Sequence, residues 1–299
     1  MFDTQQRNGT QSRKSQKLMT SSIVNSYDPN VDIDWDAPLV EGKWFLSERF
    51  CSLAGTELWD SLTFEQKVIC SREELAGSLG SGVWTEHMLL ALVSRYVYDR
   101  PITDPDVQFA LTEIADECRH MIMFAKTLDA IGAEPYRAPW QIRHVGRPLK
   151  KAAPLIVLWA MLLMTEEIFE QIQREVAKDE SVQPVVRTMS RIHVVEESRH
   201  IGFARAELDR LVPQLSKPQL SALRTMLATS APLFIDGLFS PEMYRRSGLD
   251  PKVARAAAKK NKEFRQTFKW AASRVTDHYR SIGLIGGASE RVWRRAGVI

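Results

Sequence analysis

Only three of the 299 residues are cysteine, Cys51, Cys70 and Cys118, and no two are spaced as Cys-x-x-Cys. Three cannot all pair, so a disulfide framework is not indicated, and free thiols in a reducing compartment are expected. An excess of one charge is also missing. The 40 Lys and Arg and 37 Asp and Glu leave a formal +3, too weak and dispersed to argue for a nucleic-acid partner. Long apolar runs are absent: the most apolar stretch, 152–164 (AAPLIVLWAMLLM), has 13 residues, and a membrane span needs about 20. No apolar h-region of a secretory signal stands at the start, so no membrane association and a cytoplasmic location are expected. There is no strand-flanked Gly-x-Gly-x-x-Gly; the glycines of 283–289 (GLIGGAS) follow no strand pattern, so a nucleotide-binding Rossmann unit is excluded.

Helical periodicity is what remains. The 44% apolar and 26% charged fractions are those of an ordinary globular protein that can bury a large core. Residues 1–30, rich in Gln, Ser, Thr, Asn and Lys, read as a disordered tail, and 31–299 as one helical domain. Thr63-Phe64-Glu65-Gln66 is a capping box opening a helix to about Asp99, which Gly77, Gly80 and Gly82 could kink. Asp104-Pro105 starts a second helix that Gly132 closes, and a loop follows to about Lys151. A third helix is predicted at 154–178 and a fourth from 181–184 to just before Pro213. Further helices are predicted at 217–231 and 250–283.

Two of these segments carry the same residues 80 positions apart. Glu86 is followed by Glu117-x-x-His120, and Glu166 by Glu197-x-x-His200, each lone glutamate preceding its motif by 31 residues. The repeat maps onto two helical hairpins, 64–131 and 154–211, which together make a four-helix bundle of about 60–211. At about 100° per residue, His193, Glu197 and His200 share one stripe of the fourth helix, and Glu117 and His120 one stripe of the second. Ile114, Phe124, Met189 and Ile192 flank those stripes and turn them inward. Four carboxylates in an apolar core need partners. Two divalent ions carry +4 and balance them, and neutral histidines complete the coordination. This doubled pattern is the ligand set of ferritin-like di-iron bundles. A single Glu-x-x-His would be weak, since such pairs often lie on a solvated face; the matched pair is much harder to obtain by chance. Glu167 competes with Glu166, and the 31-residue symmetry favours Glu166. Asp116 and Glu196, each just before a motif glutamate, are the acids expected to hold the ligand histidines, with Arg119 and Arg199 to balance them. Glu113 is the first-half counterpart of His193 and also faces the stripe.

The run His193, Glu197, His200, with Asp116, Glu117 and His120 upstream and two lone glutamates, resembles the AurF family of di-iron arylamine N-oxygenases. The resemblance implies an all-α, ferritin-like four-helix bundle with additional N- and C-terminal helices. It implies two irons held by Glu86, Glu117, His120, Glu166, His193, Glu197 and His200. Glu86 and His120 would bind one ion, Glu166, His193 and His200 the other, and Glu117 and Glu197 would bridge. Ribonucleotide reductase small subunits and acyl-carrier desaturases are similar in their carboxylates but usually lack the third histidine. Where the reductases place a radical tyrosine, this chain has Phe124.

Two ferrous ions can deliver two electrons to O2 together. The resemblance therefore implies an O2-dependent monooxygenase that oxidises an aromatic amine toward hydroxylamine, nitroso or nitro product. Its electrons would come from an external reductase or ferredoxin. Two other classes remain open: an acyl-chain desaturase or C–H hydroxylase, and a non-enzymatic iron- or manganese-binding protein. Trp84, Tyr96, Met123, Phe169 and Phe203 are candidate pocket residues, although bundle cores use the same types for packing. A basic residue recognising a substrate carboxylate cannot be picked from 40. The C-terminal helices, ending in Arg291, Arg294 and Arg295, would cap the pocket or form a homodimer interface.

Overall fold

The computed structural model describes residues 2–137, 144, 146–148 and 151–299. Helix α1 (Phe2–Val24) precedes a bundle of α2 (Phe64–Tyr98), α3 (Pro105–Ala130), α4 (Leu155–Val176) and α5 (Pro184–Leu211). Five helices follow: α6 (Lys217–Gly237), α7 (Pro241–Arg246), α8 (Pro251–Lys260), α9 (Lys262–Ser281) and α10 (Glu290–Ala296). No strand occurs among the described residues, and one isolated bridge joins Trp44 to Val182.

Local chemistry sets the helix ends. At Thr63 and Gln66 the capping box forms in both directions, side chain to backbone. Asp104 accepts from the Asp106 N–H and Pro105 fills the first turn of α3. Past its end, Gly132 takes φ +63°, a left-handed conformation that glycine adopts without strain. Helices α2 and α3 pack along their lengths, as do α4 and α5; α2 against α4 and α3 against α5 close the bundle. A buried aromatic cluster ties the two hairpins: Tyr96, Trp159 and Phe203 meet edge to face with centroids 5.7–5.9 Å apart. Each such side chain contributes about 1.5–3 kcal/mol by leaving water.

Four expectations change. Residues 1–30 are not a disordered tail throughout: α1 packs on α3 and α5. Leu18 and Met19 join the core, Ser15 is buried, and Lys14 Nζ donates to the Gly202 carbonyl at 2.7 Å. Composition measures whether a segment can build a core alone, whereas α1 borrows one. The helix α2 runs unbroken through its glycines, which serve close approach: a Cβ at Gly80 would lie 2.6 Å from the Tyr136 carbonyl oxygen. The connection expected as loop up to about Lys151 is helical at His144, at 146–148 and at 151–152; 138–143, 145 and 149–150 lie outside the described residues. The helix predicted over 250–283 is divided at Asn261. That side chain caps α9 and donates to the Ser52 and Ala54 carbonyls at 2.9 and 2.8 Å, tying the C-terminal helices to the segment before α2.

Candidate metal centre

All seven sequence-predicted ligands are buried on the facing stripes of α2–α5, none more than 5% exposed. One oxygen or nitrogen each of Glu86, His120, His193 and Glu197 lie within 4.8 Å of one another, as do those of Glu117, Glu197 and His200. Glu197 belongs to both groups. Glu166 stands beside them, with Glu197 and Glu117 the charges acting on it most strongly. The alternative, Glu167, points elsewhere: it pairs with Arg205 and lies 3.8 Å from Arg274. His193 lies with Glu86 and His120, its ring centroid 4.5 Å from that of His120. This differs from the partition the resemblance implies, which seats His193 with Glu166 and His200.

The outer layer is crossed between the halves. The His120 Nδ1 faces Glu117 Oε2 at 2.8 Å, and its Nε2 meets Glu196 Oε2 of α5 at 2.9 Å. The His200 Nδ1 faces Glu117 and Glu197 at 2.8 and 3.1 Å, and its Nε2 meets Asp116 Oδ2 of α3 at 3.2 Å. Each acid thus holds the other helix's histidine, directing Nδ1 inward. Arg119 and Arg199 both pair with Asp116 and lie 3.9 and 3.8 Å from Glu196. The chain leaving α1 covers this layer: the Tyr27 N–H donates to Glu196 at 3.4 Å and Arg199 to the Asn25 carbonyl at 3.3 Å. Glu113 is 1% exposed and neither of its oxygens has a hydrogen-bond partner among the described residues.

Sequence reasoning missed Gln173. It lies two turns after Glu166 on α4, and its Oε1 is 2.6 Å from His193 Nδ1. A proton on Nδ1 then leaves Nε2 facing Glu86 and Glu197 at 3.6 and 3.7 Å. The pair joins neighbouring helices outside the 80-residue repeat, so no periodic signal marks it. In the Gln173→Leu protein, metal affinity is expected to fall about 10- to 100-fold and the ligand-field spectrum to change, with Gln173→Glu restoring both. Equal metal affinity in the leucine protein, measured by competitive chelation, would count against this role.

Electrostatics divide the cluster. Burial, then the neighbouring glutamates, push Glu86 and Glu166 well above the usual carboxylate range. Burial raises Glu117 and Glu197 too, but the imidazoles of His200 and His120 outweigh it and hold both low. Burial pulls His120 and His200 down, and the facing glutamates more than reverse this, leaving both well above the usual imidazole value. Burial and the nearby His120 lower His193 to about 3, so its imidazole is neutral and its lone pair available. The donor set fits two divalent ions: Glu86 Oε2, Glu166 Oε1, Glu197 Oε2 and His193 Nε2 are buried with no hydrogen-bond partner among the described residues, an arrangement costly unless an ion meets them.

A slot with a volume of about 130 Å³ opens on Glu86, Glu166 and His193. One wall is α2 from Glu74 to Glu86, and α4 from Glu166 to Val176 is the other. Phe234, Leu238, Met243, Phe264 and Phe268 roof it, so the C-terminal helices cap the pocket. Of the five aromatic and methionine candidates, Phe169 alone lines it; Tyr96, Met123 and Phe203 are core, and Trp84 lies against Gly146. Phe124 lines it too, its ring 4.9 Å from that of His193.

At the far end, Glu74 accepts from the Ser52 N–H and hydroxyl, and burial pushes it to about 7. A raised carboxyl favours the folded state while protonated, so its contribution is present below the unfolded pKa of about 4.3 and is lost as pH rises through 7. The difference is about 4 kcal/mol. Urea midpoints of wild type and Glu74→Gln should converge at pH 5 and separate by pH 8 in favour of glutamine; parallel curves would contradict the assignment.

A helical bundle with carboxylates and histidines gathered on its inner stripes is the architecture of a di-metal protein, and the comparisons agree. Residues 8–283 match the family described as p-aminobenzoate N-oxygenase AurF, and the chain belongs to that family. Uncharacterized proteins of Mycobacterium tuberculosis and Mycobacterium bovis are 28% identical over 212 residues. The match covers 68% of this chain and 62% of theirs, so the chain spans under two thirds of the length of the curated relatives it matches. A variant of an R2-like ligand-binding oxidase with an aerobically reconstituted Mn/Fe cofactor shares the fold, at TM-score 0.50 and 18% identity over 87% of this chain and 92% of that one. Its anaerobically reconstituted form gives 0.50 and 19% over the same shares. The family match and the shared helical-bundle fold agree with a donor set for two metal ions. No helix among the described residues is long and apolar enough to cross a membrane.

Proposed function

We propose that this chain is a di-iron monooxygenase that oxidises the nitrogen of an aromatic amine with O2. The observation that carries the reading is His193, a neutral, buried donor inside the carboxylate cluster and at the mouth of a ring-sized slot. Glu86, His120 and His193 would hold one ion and Glu166 and His200 the other, with Glu117 and Glu197 available to both. When bound, the ion pair supplies two electrons together for O2 activation. Asp116 and Glu196 keep the His200 and His120 rings oriented, and Arg119 and Arg199 offset their charge. Gln173 fixes the His193 tautomer.

Phe124, Phe169 and Phe234 give the slot an apolar wall that excludes water and seats a ring beside Glu86 and Glu166. Its volume resembles cavities of about 150 Å³ that take benzene, which favours an arylamine over a long acyl chain. Among the described residues Arg137 is the one Lys or Arg lining it, and it pairs with a carboxylate on the far side of the ring. The first oxidation consumes RNH2, O2, two electrons and two protons and yields RNHOH and water.

Iron-loaded protein supplied with a chemical reductant, O2 and 4-aminobenzoate should yield hydroxylamine, nitroso or nitro product by mass spectrometry. Arg137→Ala should raise KM about tenfold for the carboxylated amine and leave aniline unaffected. Oxidation of acyl chains but of no arylamine would overturn the reading.

A further inference from the structure

Charge is distributed unevenly along the chain. Residues 250–299 hold 12 Lys and Arg against 4 Asp and Glu, a formal +8 in a protein of +3. This surplus sits on the helices that roof the slot. The inner face of α9 is apolar: Phe268, Ala271, Ala272, Val275 and Tyr279 are buried, and α9 packs along α4, the helix of Glu166. Its outer face carries the exposed Lys262, Arg265 and Lys269 beside the exposed acids Glu263 and Asp277, Arg274 pairs with Glu170, and at the centre of the helix Trp270 is 38% exposed. Lys260, Lys262 and Lys269 have no carboxylate partner among the described residues. The Trp270 ring stacks on Phe50 with centroids 6.1 Å apart, and the Arg49 guanidinium lies 5.3 Å from it. Phe50 lines the slot that reaches Glu86 and His193. The Trp270 carbonyl also accepts from Gln171, five residues from Glu166, at 3.4 Å.

We infer that the outer face of α9, centred on Trp270, is the docking surface for an acidic one-electron donor protein of the ferredoxin class. The inference rests on the oxygenase reading, because each N-oxidation needs two electrons and the chain has no nucleotide-binding motif to supply them. Two dockings, each oxidising one donor cluster by one electron, balance one turnover. An exposed tryptophan on a helix of net positive charge is interface chemistry that suits a carboxylate-rich partner. Electron-transfer encounters are small and weak, and one exposed helix face suffices for them. An anionic membrane fits less well, because Trp270 is the only large apolar side chain on this outer face to insert. Duplex DNA fits less well too, because the residues 250–299 offer no helix separated from the roof to enter a groove.

The test uses the full iron-loaded chain and a purified acidic [2Fe–2S] ferredoxin. Binding is measured by calorimetry between 50 and 300 mM salt, and ferric-site reduction by stopped-flow absorbance. The expected result is micromolar affinity that falls about tenfold across that range. Lys262→Glu with Lys269→Glu should weaken binding about tenfold more, and Trp270→Ala should slow reduction by ferredoxin. Reduction by dithionite, and product formed afterwards, should be unchanged in all three proteins. Salt-independent binding, or no effect of the charge reversals, would overturn the proposal. So would tighter association with anionic vesicles or duplex DNA than with ferredoxin. A dithionite-reduced wild type that makes no N-oxidised product defeats the oxygenase reading instead and leaves the docking result to stand by itself.

Discussion

Glu197→Ala is expected to abolish activity and to reduce bound metal from two ions to fewer than one per chain. Glu197 is the one side chain in both donor groups, so its loss removes an anionic ligand from each ion. It is also fully buried, with His200 and His120 the groups that keep it ionised. Without it those two imidazoles lose much of the negative charge facing them, and the remaining donors no longer match a pair of divalent ions. Turnover should fall at least about 1,000-fold, since the chemistry is supplied by the ions rather than by a side chain. Metal analysis after desalting, beside circular dichroism to confirm the helical fold, separates lost ligation from lost structure. Two tightly held ions in the alanine protein would remove Glu197 from the centre.

Loading the protein with metal should release protons, up to four for two ions. The directions of the titrations set this number. Glu86 and Glu166 are pushed toward their neutral forms, while His120 and His200 are pushed toward their charged ones. Together with the anionic Glu117 and Glu197, the metal-free cluster is neutral with four protons in place of two divalent charges. All four protonated groups have raised folded pKa values. Their stabilisation is therefore complete below the unfolded values, of about 4.3 for Glu and 6.5 for His, and is lost as pH rises through the folded ones. The metal-free protein should weaken from about pH 4.3 upward and more steeply above 6.5, whereas the loaded protein should not. Each ion present at 1,000 times its Kd adds about 4 kcal/mol. Calorimetry in buffers of different ionisation enthalpy counts the protons, and release of none or one would contradict the charge balance.

Much of this centre is legible in the sequence. The 80-residue offset marked six of the seven buried donors, the shared stripe of the fourth helix and the family resemblance added His193, and the 31-residue spacing separated Glu166, which faces the cluster, from Glu167, which pairs with arginines. The acids preceding the motif glutamates were legible because metal-bound histidines need a partner for their second nitrogen. The crossing of those partners between helices was not, since it depends on how α3 and α5 face each other. Gln173 escaped because its contact with His193 spans two helices and has no counterpart in the first hairpin. Helix α1 was misread because its few apolar residues cannot form a core, yet suffice to dock on one. Pocket aromatics and core aromatics share one periodicity, so Phe169 could not be told from Tyr96 or Phe203 by spacing.

Anomalous diffraction from crystals of the iron-loaded protein, collected on both sides of the iron edge, tests the two-ion centre most directly. Two peaks are expected. The first should be in contact with Glu86, His120 and His193, the second with Glu166 and His200, and Glu117 and Glu197 should touch both. A single peak, or two peaks of which neither contacts His193 Nε2, would contradict it.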